Sequence, residues 1–334
     1  MSGVAIGIRR FLAVLVARNR EFIRDRSSWA WNVIFPVLLV IGLSIVFSGE
    51  DQTRFRVGVL SSETEHALAA QRYTSFLPLT EESVGVRKVE RHQLDALIDG
   101  RTKRYWINET SPNGYILDQL LATANYNREP VTGDAVRYID WVLPGILGVN
   151  MMFASLFGVG YVIVRYRKSG VLRRLKATPL GAFEFLAAQV VSRLWLILAV
   201  ATVVFIGTHW FLDFTVRGSY ALLFSILLLG AMSLISLGLL MASRTPSEEL
   251  AGGLLNVCTW PMMLLSGAWF TLDAAPRWLQ LVAEALPLTQ IIAAARAVMI
   301  DGAGIIDIAP RLLMLVVFTV VCLFFGARLF RWEG

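Results

Sequence analysis

Arg165-Tyr-Arg-Lys-Ser-Gly-Val-Leu-Arg-Arg-Leu-Lys-Ala-Thr-Pro179 gathers six basic side chains and no acidic one into a single short stretch. Residues of this type do the chemistry of attraction, to an acidic protein rim or to anionic head groups. Bond-making chemistry has no comparable concentration anywhere. No Gly is followed by Lys, so the chain carries no GxxxxGK[ST] loop to cradle phosphates, and neither HExxH nor GxSxG occurs. The three histidines, His66, His92 and His209, stand singly. His209, beside Trp210, reads as structural, with a proton relay as the alternative. Cys258 and Cys322 lie in apolar runs with no CxxC and no Cys/His cluster, which supports neither a zinc site nor a disulfide framework. Paired intramembrane carboxylates are missing, because Glu184 and Asp213 fall at the ends of apolar runs. The expectation is a chain that is not an enzyme, holds no metal or cofactor, and has no energy source of its own.

The elements that must position the basic stretch are apolar. Hydrophobic residues make up 56% of the 334 and charged residues 17%, with a mean hydropathy of +0.59. That balance points to an integral membrane protein. The net charge of +6 could mean nucleic acid, but the basic residues sit at the ends of apolar runs, where lipid head groups and topology explain them better. The start lacks the pattern of a cleavable signal peptide. Residues 1–28 read instead as an amphipathic helix in the inner head-group layer: Ile8, Phe11, Leu12, Leu15, Val16, Phe22 and Ile23 recur at helical spacing among six arginines.

A first span covers 29–48, with Trp29 and Trp31 at its start. Residues 49–140 are polar and form a small α/β domain: strands over 55–60, 84–89 and 104–107, helices over 63–72, 92–98 and 118–124. Residues 141–334 carry the rest of the membrane part. Further spans follow over 141–164, 185–212, 219–243, 250–272 and between Arg311 and Arg328. Arg193, early in the third, is placed to snorkel to the interface. Residues 274–300 are apolar but broken at Pro287 into halves too short to cross, hence a re-entrant or interfacial helix pair. Pro261 should kink the fifth span, which also holds Asn256, Thr259 and Met263 as candidates for a substrate path. The positive-inside rule puts the leader, the 165–179 loop and both termini in the cytoplasm, and the 49–140 domain outside. The fold class is therefore an all-α polytopic membrane protein of six transmembrane helices, with an N-terminal elbow helix, a re-entrant pair and an inserted α/β domain.

Within the basic stretch, Val171, Leu172 and Leu175 fall on one helical face (i, i+1, i+4), with Arg173, Arg174 and Lys176 on others. The stretch is either a solvated topology determinant or a handle offered to a partner. Here the chain resembles the membrane subunits of type-2 ABC exporters, the ABC-2 permeases. Gly170, Leu175, Thr178 and Pro179 are similar to that family's G-x-x-x-x-L-x-x-T-P run, and Leu286-Pro-Leu-Thr-Gln290 with Ala295-Arg296 to its L-P-x-T…A-x-R segment. One span, a large external insert and then five spans match a subgroup of it. Acidic residues common before the loop glycine are replaced by Arg165, Arg167 and Lys168.

The resemblance implies two permease subunits, as a homodimer or a paralogous pair, and two copies of a cytoplasmic ABC ATPase that binds ATP and Mg. The loop after span two would be the coupling helix, so Gly170, Val171, Leu172, Arg174, Leu175, Thr178 and Pro179 would contact the ATPase, with Thr178-Pro179 starting the helix into span three. Pro287, Thr289 and Arg296 would belong to the re-entrant segment. The function expected is outward movement of a hydrophobic or amphipathic, drug-like or lipid-like, molecule across a bacterial cytoplasmic membrane. The alternative is ATP-driven mechanical work on an extracytoplasmic partner without substrate passage.

Overall fold

The structure is a computed structural model that describes residues 3–24, 34–46, 55–60, 74–79, 81–122, 126–133, 136–212, 214, 216–269, 272 and 275–330. Two compact units divide the chain, 44–139 and the remainder.

In the smaller unit, five strands pair in the order β2-β1-β3-β4-β5: β1 (Phe55–Val59), β2 (Thr74–Pro78), β3 (Ala96–Asp99), β4 (Arg104–Asn108) and β5 (Asn127–Val131). Only β3 and β4 run antiparallel, Leu97 opposite Trp106, joined by a turn in which Asp99 accepts from the Thr102 hydroxyl (2.7 Å) and the Arg101 amide (3.0 Å). The central strands are buried on both faces. Ala96, Ile98, Tyr105 and Ile107 share one core with Leu117 and Leu121, while Leu97 and Trp106 share another with Val89. Those partners come from helices α3 (Glu82–Glu90) and α4 (Pro112–Leu121).

Three expectations for this unit change. The 84–89 segment is helix rather than strand, because Val89 breaks the two-residue alternation of Val84 and Val86 and lies one helical turn beyond Gly85, with which it is buried. The 92–98 segment turns at His92 (φ 55) and then becomes β3. The helix expected over 118–124 starts at Pro112, where Ser111 caps it by accepting from the Gly114 amide and proline takes the first turn. The helix expected over 63–72 lies outside the described residues.

The larger unit is helical. Helix α1 (Gly3–Arg24) precedes α2 (Phe35–Val46), which occupies part of the expected first span; Trp29 and Trp31 lie outside the described residues. A second span runs through α5 (Tyr138–Ser155), a π-helical segment (Leu156–Tyr161) and α6 (Val162–Lys168). After the short α7 (Val171–Lys176) come α8 (Ala182–Leu212), α9 (Tyr220–Ala242), α10 (Glu248–Leu265), α11 (Arg277–Glu284), α12 (Pro287–Asp301) and α13 (Ile305–Leu329). Among the described residues four helices are long and apolar enough to cross a membrane, 139–168, 183–211, 220–242 and 305–329, and a bent pair, α11 with α12, would make a fifth. Helix α10 is less apolar, since its eighteen residues open on Glu248 and Glu249 and include Asn256 and Pro261.

Helix α9 is the hub, packed against the π segment, α12 and α13. Its small residues allow this. A methyl group placed on Gly160 would stand 3.0 Å from the Gly238 carbonyl, so the two backbones cross in direct contact. Ser233 and Ser236 return their hydroxyls to carbonyls of α9 itself, so neither needs a partner across the apolar seam.

Candidate functional site

The basic stretch forms a rigid corner. Helix α6 ends at Lys168, and Gly170 turns the chain with φ +74, a left-handed conformation that glycine takes without the Cβ penalty. Helix α7 then places Leu172 at 0% exposure in the core that also holds Phe185, with Leu175 and Tyr166 packed partly buried against it. This corrects the expected apolar ridge. Leu172 is not offered outward, because a side chain one turn from the end of a transmembrane helix finds the bundle's own core nearer than any partner. The exposed face is polar and basic: Arg173, Arg174, Lys176, Ala177, Thr178 and Pro179.

Thr178 also does something other than expected. Its hydroxyl donates to the Leu175 carbonyl (2.6 Å), closing the end of α7. Helix α8 begins three residues after Pro179, and there the Glu184 carboxylate accepts from the Gly181 amide (2.9 Å). Arg10 of α1 donates to the Pro179 carbonyl, which ties the corner to the N-terminal helix.

Arginines staple both ends of the second span. At the corner end Arg167 donates to the carbonyls of Ala242 (3.0 Å), Ser243 (3.2 Å) and Thr245 (2.6 Å), the otherwise unsatisfied C-terminal groups of α9. Lys168 lies 3.9 Å from Glu248, whose other oxygen accepts from the Tyr161 hydroxyl (2.8 Å). An acidic partner for the loop therefore comes from α10 rather than from the loop itself. At the other end Arg296 of α12 donates to the carbonyls of Trp141 (2.9 Å), Gly267 (2.8 Å) and Ala268 (3.3 Å), its guanidinium 3.7 Å from the centre of the Trp141 ring.

The bent pair turns by 87° between α11 and α12. Its halves are unequal, eight and fifteen residues. Pro287 occupies the first turn of α12, where its missing N–H costs nothing. Helix α12 is core, burying Leu288, Ile291, Ile292 and Val298, whereas α11 exposes Trp278, Leu281 and Val282. Thr289 reaches toward the Leu265 carbonyl at 3.5 Å, at the edge of hydrogen-bond range.

A cavity of about 690 Å³ opens beside the second span. Ile146, Asn150, Phe153, Phe157, Trp260, Met263 and Trp269 line one part of it, and Arg18, Glu21, Arg165, Ser192 and Arg193 another. Arg193 does not snorkel outward as expected. It donates to the Ala154 carbonyl (2.7 Å) and lies against Gly158, where any Cβ would fall within about 2.0 Å of the guanidinium. The π segment makes this seat, because its wider turn frees carbonyls that two arginines take up, Arg18 donating to the Gly158 carbonyl at 3.1 Å. Arg18 also pairs with Glu21 (2.7 Å) and donates to the Tyr166 hydroxyl (3.0 Å), and that hydroxyl donates to Glu21. Burial raises the Glu21 carboxyl, but Tyr166, Arg18 and Arg165 together hold it below the usual carboxylate range.

Comparison with known proteins decides the family. The model of the ABC-2 type transporter family matches residues 92–300, well over half of the chain. The chain is an ABC-2 permease. It is 23% identical to the probable multidrug ABC transporter permease YbhS of Escherichia coli over 90% of this chain and 91% of that one. It is 27% identical to the linearmycin resistance permease protein LnrN of Bacillus subtilis over 55% and 48% of the two chains, and 24% to the inner membrane transport permease YhhJ of Escherichia coli over 61% and 59%. The protein is thus an integral membrane permease subunit of an ABC transporter, a transport subunit and not itself an enzyme.

In this permease the residues singled out on α10 scatter. Met263 lines the cavity, Thr259 is buried with its hydroxyl toward the Asn256 carbonyl (3.3 Å), and the Asn256 side chain is exposed on another face. The i, i+3, i+7 spacing did not settle which face the bundle covers. Sequence reasoning missed Arg18, Glu21 and Asn150 as cavity residues, and assigned Arg193 to the interface. The Gly-x-Gly of 158–160 inside an apolar span was the available signal. His209 is structural, its Nδ1–H donating to the Phe214 carbonyl (3.0 Å) and its ring packing edge-on against the Phe214 ring.

Proposed function

We propose that this permease is the membrane half of an ATP-driven exporter in a bacterial cytoplasmic membrane, with both termini and the 165–179 corner in the cytoplasm and the 49–140 domain outside. Six crossings are intended in this reading, the first containing α2 and the fifth α10. A partner ABC ATPase in two copies, carrying ATP and Mg, pushes on the exposed face of the corner, and a second permease subunit completes the pathway. The observation that carries this is the corner itself: a short basic helix whose apolar side chain is locked into the bundle while Arg173, Arg174, Thr178 and Pro179 face out. A rigid contact transmits displacement; a loose loop does not. Gly170, Val171, Leu172 and Leu175 act by holding that contact in place. The exported molecule is hydrophobic or amphipathic, in keeping with names such as multidrug permease among the relatives. The cavity favours passage of a molecule over purely mechanical work on an outside partner.

The test is charge reversal at exposed positions. Arg173→Glu with Arg174→Glu should leave the folded subunit intact while lowering ATPase stimulation and export by the reconstituted complex at least tenfold. Unchanged export would remove the coupling assignment.

A further inference from the structure

The cavity beside the second span is asymmetric in a way that specifies a ligand. We propose that it binds an anionic amphiphile, a molecule with one carboxylate, phosphate or sulfonate head on an apolar body, lying along the second span with its head at the Arg18–Arg165–Arg193 end. This rests on the export reading and names the substrate class for it.

Charge is the first support. Three guanidinium groups and one carboxylate line the cavity, leaving two positive charges in excess; Arg18, Glu21 and Arg165 lie toward the corner, and Arg193 lies next to Arg18 at the Ala154–Gly158 turn. The second is their disposition. Arg193 and Arg18 are aimed by the carbonyls of Ala154 and Gly158, so their geometry is fixed before a ligand arrives. The Arg165 side chain is exposed, lines the cavity and makes no hydrogen bond within the described residues, and its charge acts on Glu21, so it is the least committed of the three. The third is the other end. From Phe153 back to Ile146 the second span lines it with Val149 and Asn150 between them, and Trp260, Met263 and Trp269 add aromatic and aliphatic surface. Nineteen residues of helix separate Ile146 from Arg165, roughly 28 Å at 1.5 Å per residue, a length matched by an extended acyl chain or an elongated drug. A volume of about 690 Å³ is that of a site for one such molecule. A cation would meet the basic end unfavourably, and a neutral amphiphile would leave the guanidinium groups of Arg165 and Arg193 without an acceptor of full charge, since Glu21 is paired with Arg18.

The experiment uses the full-length permease in nanodiscs of neutral phosphatidylcholine and three fluorescent probes sharing one dodecyl chain, ending in carboxylate, primary amide or trimethylammonium. The carboxylate should bind at least tenfold more tightly than the amide, and the cation more weakly than either. Arg193→Gln should abolish the carboxylate preference. Because Arg193 also holds the Ala154 carbonyl, Arg165→Gln serves as the variant that disturbs no packing, and it should reduce the preference several-fold. Adding phosphatidylglycerol to the nanodisc separates two sources of the same chemistry: competition identifies an anionic lipid as occupant, absence of competition a free amphiphile, and both support the proposal. Equal binding of carboxylate and amide, tighter binding of the cation, or an undiminished preference in both variants would overturn it. Binding is read without nucleotide or ATPase, so these outcomes are independent of whether the corner couples to ATP hydrolysis.

Discussion

Arg296 should be among the most costly side chains in the membrane unit to replace, although it does not line the cavity beside the second span. Its guanidinium donates to the Trp141, Gly267 and Ala268 carbonyls and stacks on Trp141, joining the start of the second span, the end of α10 and the middle of α12. Arg296→Met keeps the apolar stem and removes every donor. Two good charge-assisted bonds at roughly 1.5–3 kcal/mol each and a cation–π contact of about 1 kcal/mol are lost, with helix-end carbonyls left unpaired. Relief from burying a charge offsets part of this, so about 4 kcal/mol is expected. At roughly 2 °C per kcal/mol for a chain of this size, detergent-solubilised protein should melt about 8 °C lower. Arg296→Lys should recover less than half of that, because an ammonium cannot span carbonyls set apart as these are. A melting point for Arg296→Met within about 1 °C of the parent would refute the staple.

Leu172→Ala should lower stability by about 2–5 kcal/mol through a core cavity, seen as reduced folded yield and melting temperature, and Leu172→Asp should prevent folding. Either result in a stably folded but uncoupled protein would return Leu172 to the partner-facing surface. Glu21 gives a pH dependence. Its carboxyl is held below the usual range in the folded state, so its contribution to docking α1 is complete above ordinary carboxylate values and is lost as pH falls through the lowered one. Hydrogen exchange in α1 should therefore quicken, after correction for intrinsic rates, only in that acid window, and Glu21→Gln should flatten the profile. Persistence of the profile in Glu21→Gln would assign it to another group.

Much of this was legible in the sequence because apolar length and charge placement are direct readouts of membrane physics. The spans over 141–164, 185–212 and 219–243 needed only that. Gly170 and Pro287 sit where their backbone constraints predict. What escaped was whatever depends on which neighbour lies closest. Leu172 has the spacing of a surface ridge and the burial of a core residue, and nothing local distinguishes the two. Arg193 and Arg18 look like interfacial arginines until the π segment supplies carbonyls between them. Thr178-Pro179 has the form of a helix start but closes the helix before it. In the small domain, Val84 and Val86 mimic a strand for two side chains only, and the decisive residue was Val89, one position out of register.

The backbone contact between Gly160 and Gly238 makes the second span a lever with unequal arms. With both tips riveted to their neighbours by arginine, the helix has little freedom to bend at its ends and pivots most easily where two glycines let it roll on α9. From that fulcrum roughly 12 Å of helix reach the corner at Lys168 and roughly 32 Å reach Ile139, at 1.5 Å per residue. With the far tip held by Arg296, a push at the short arm would be handed on to α12 and the end of α10 instead of being spent in bending the span.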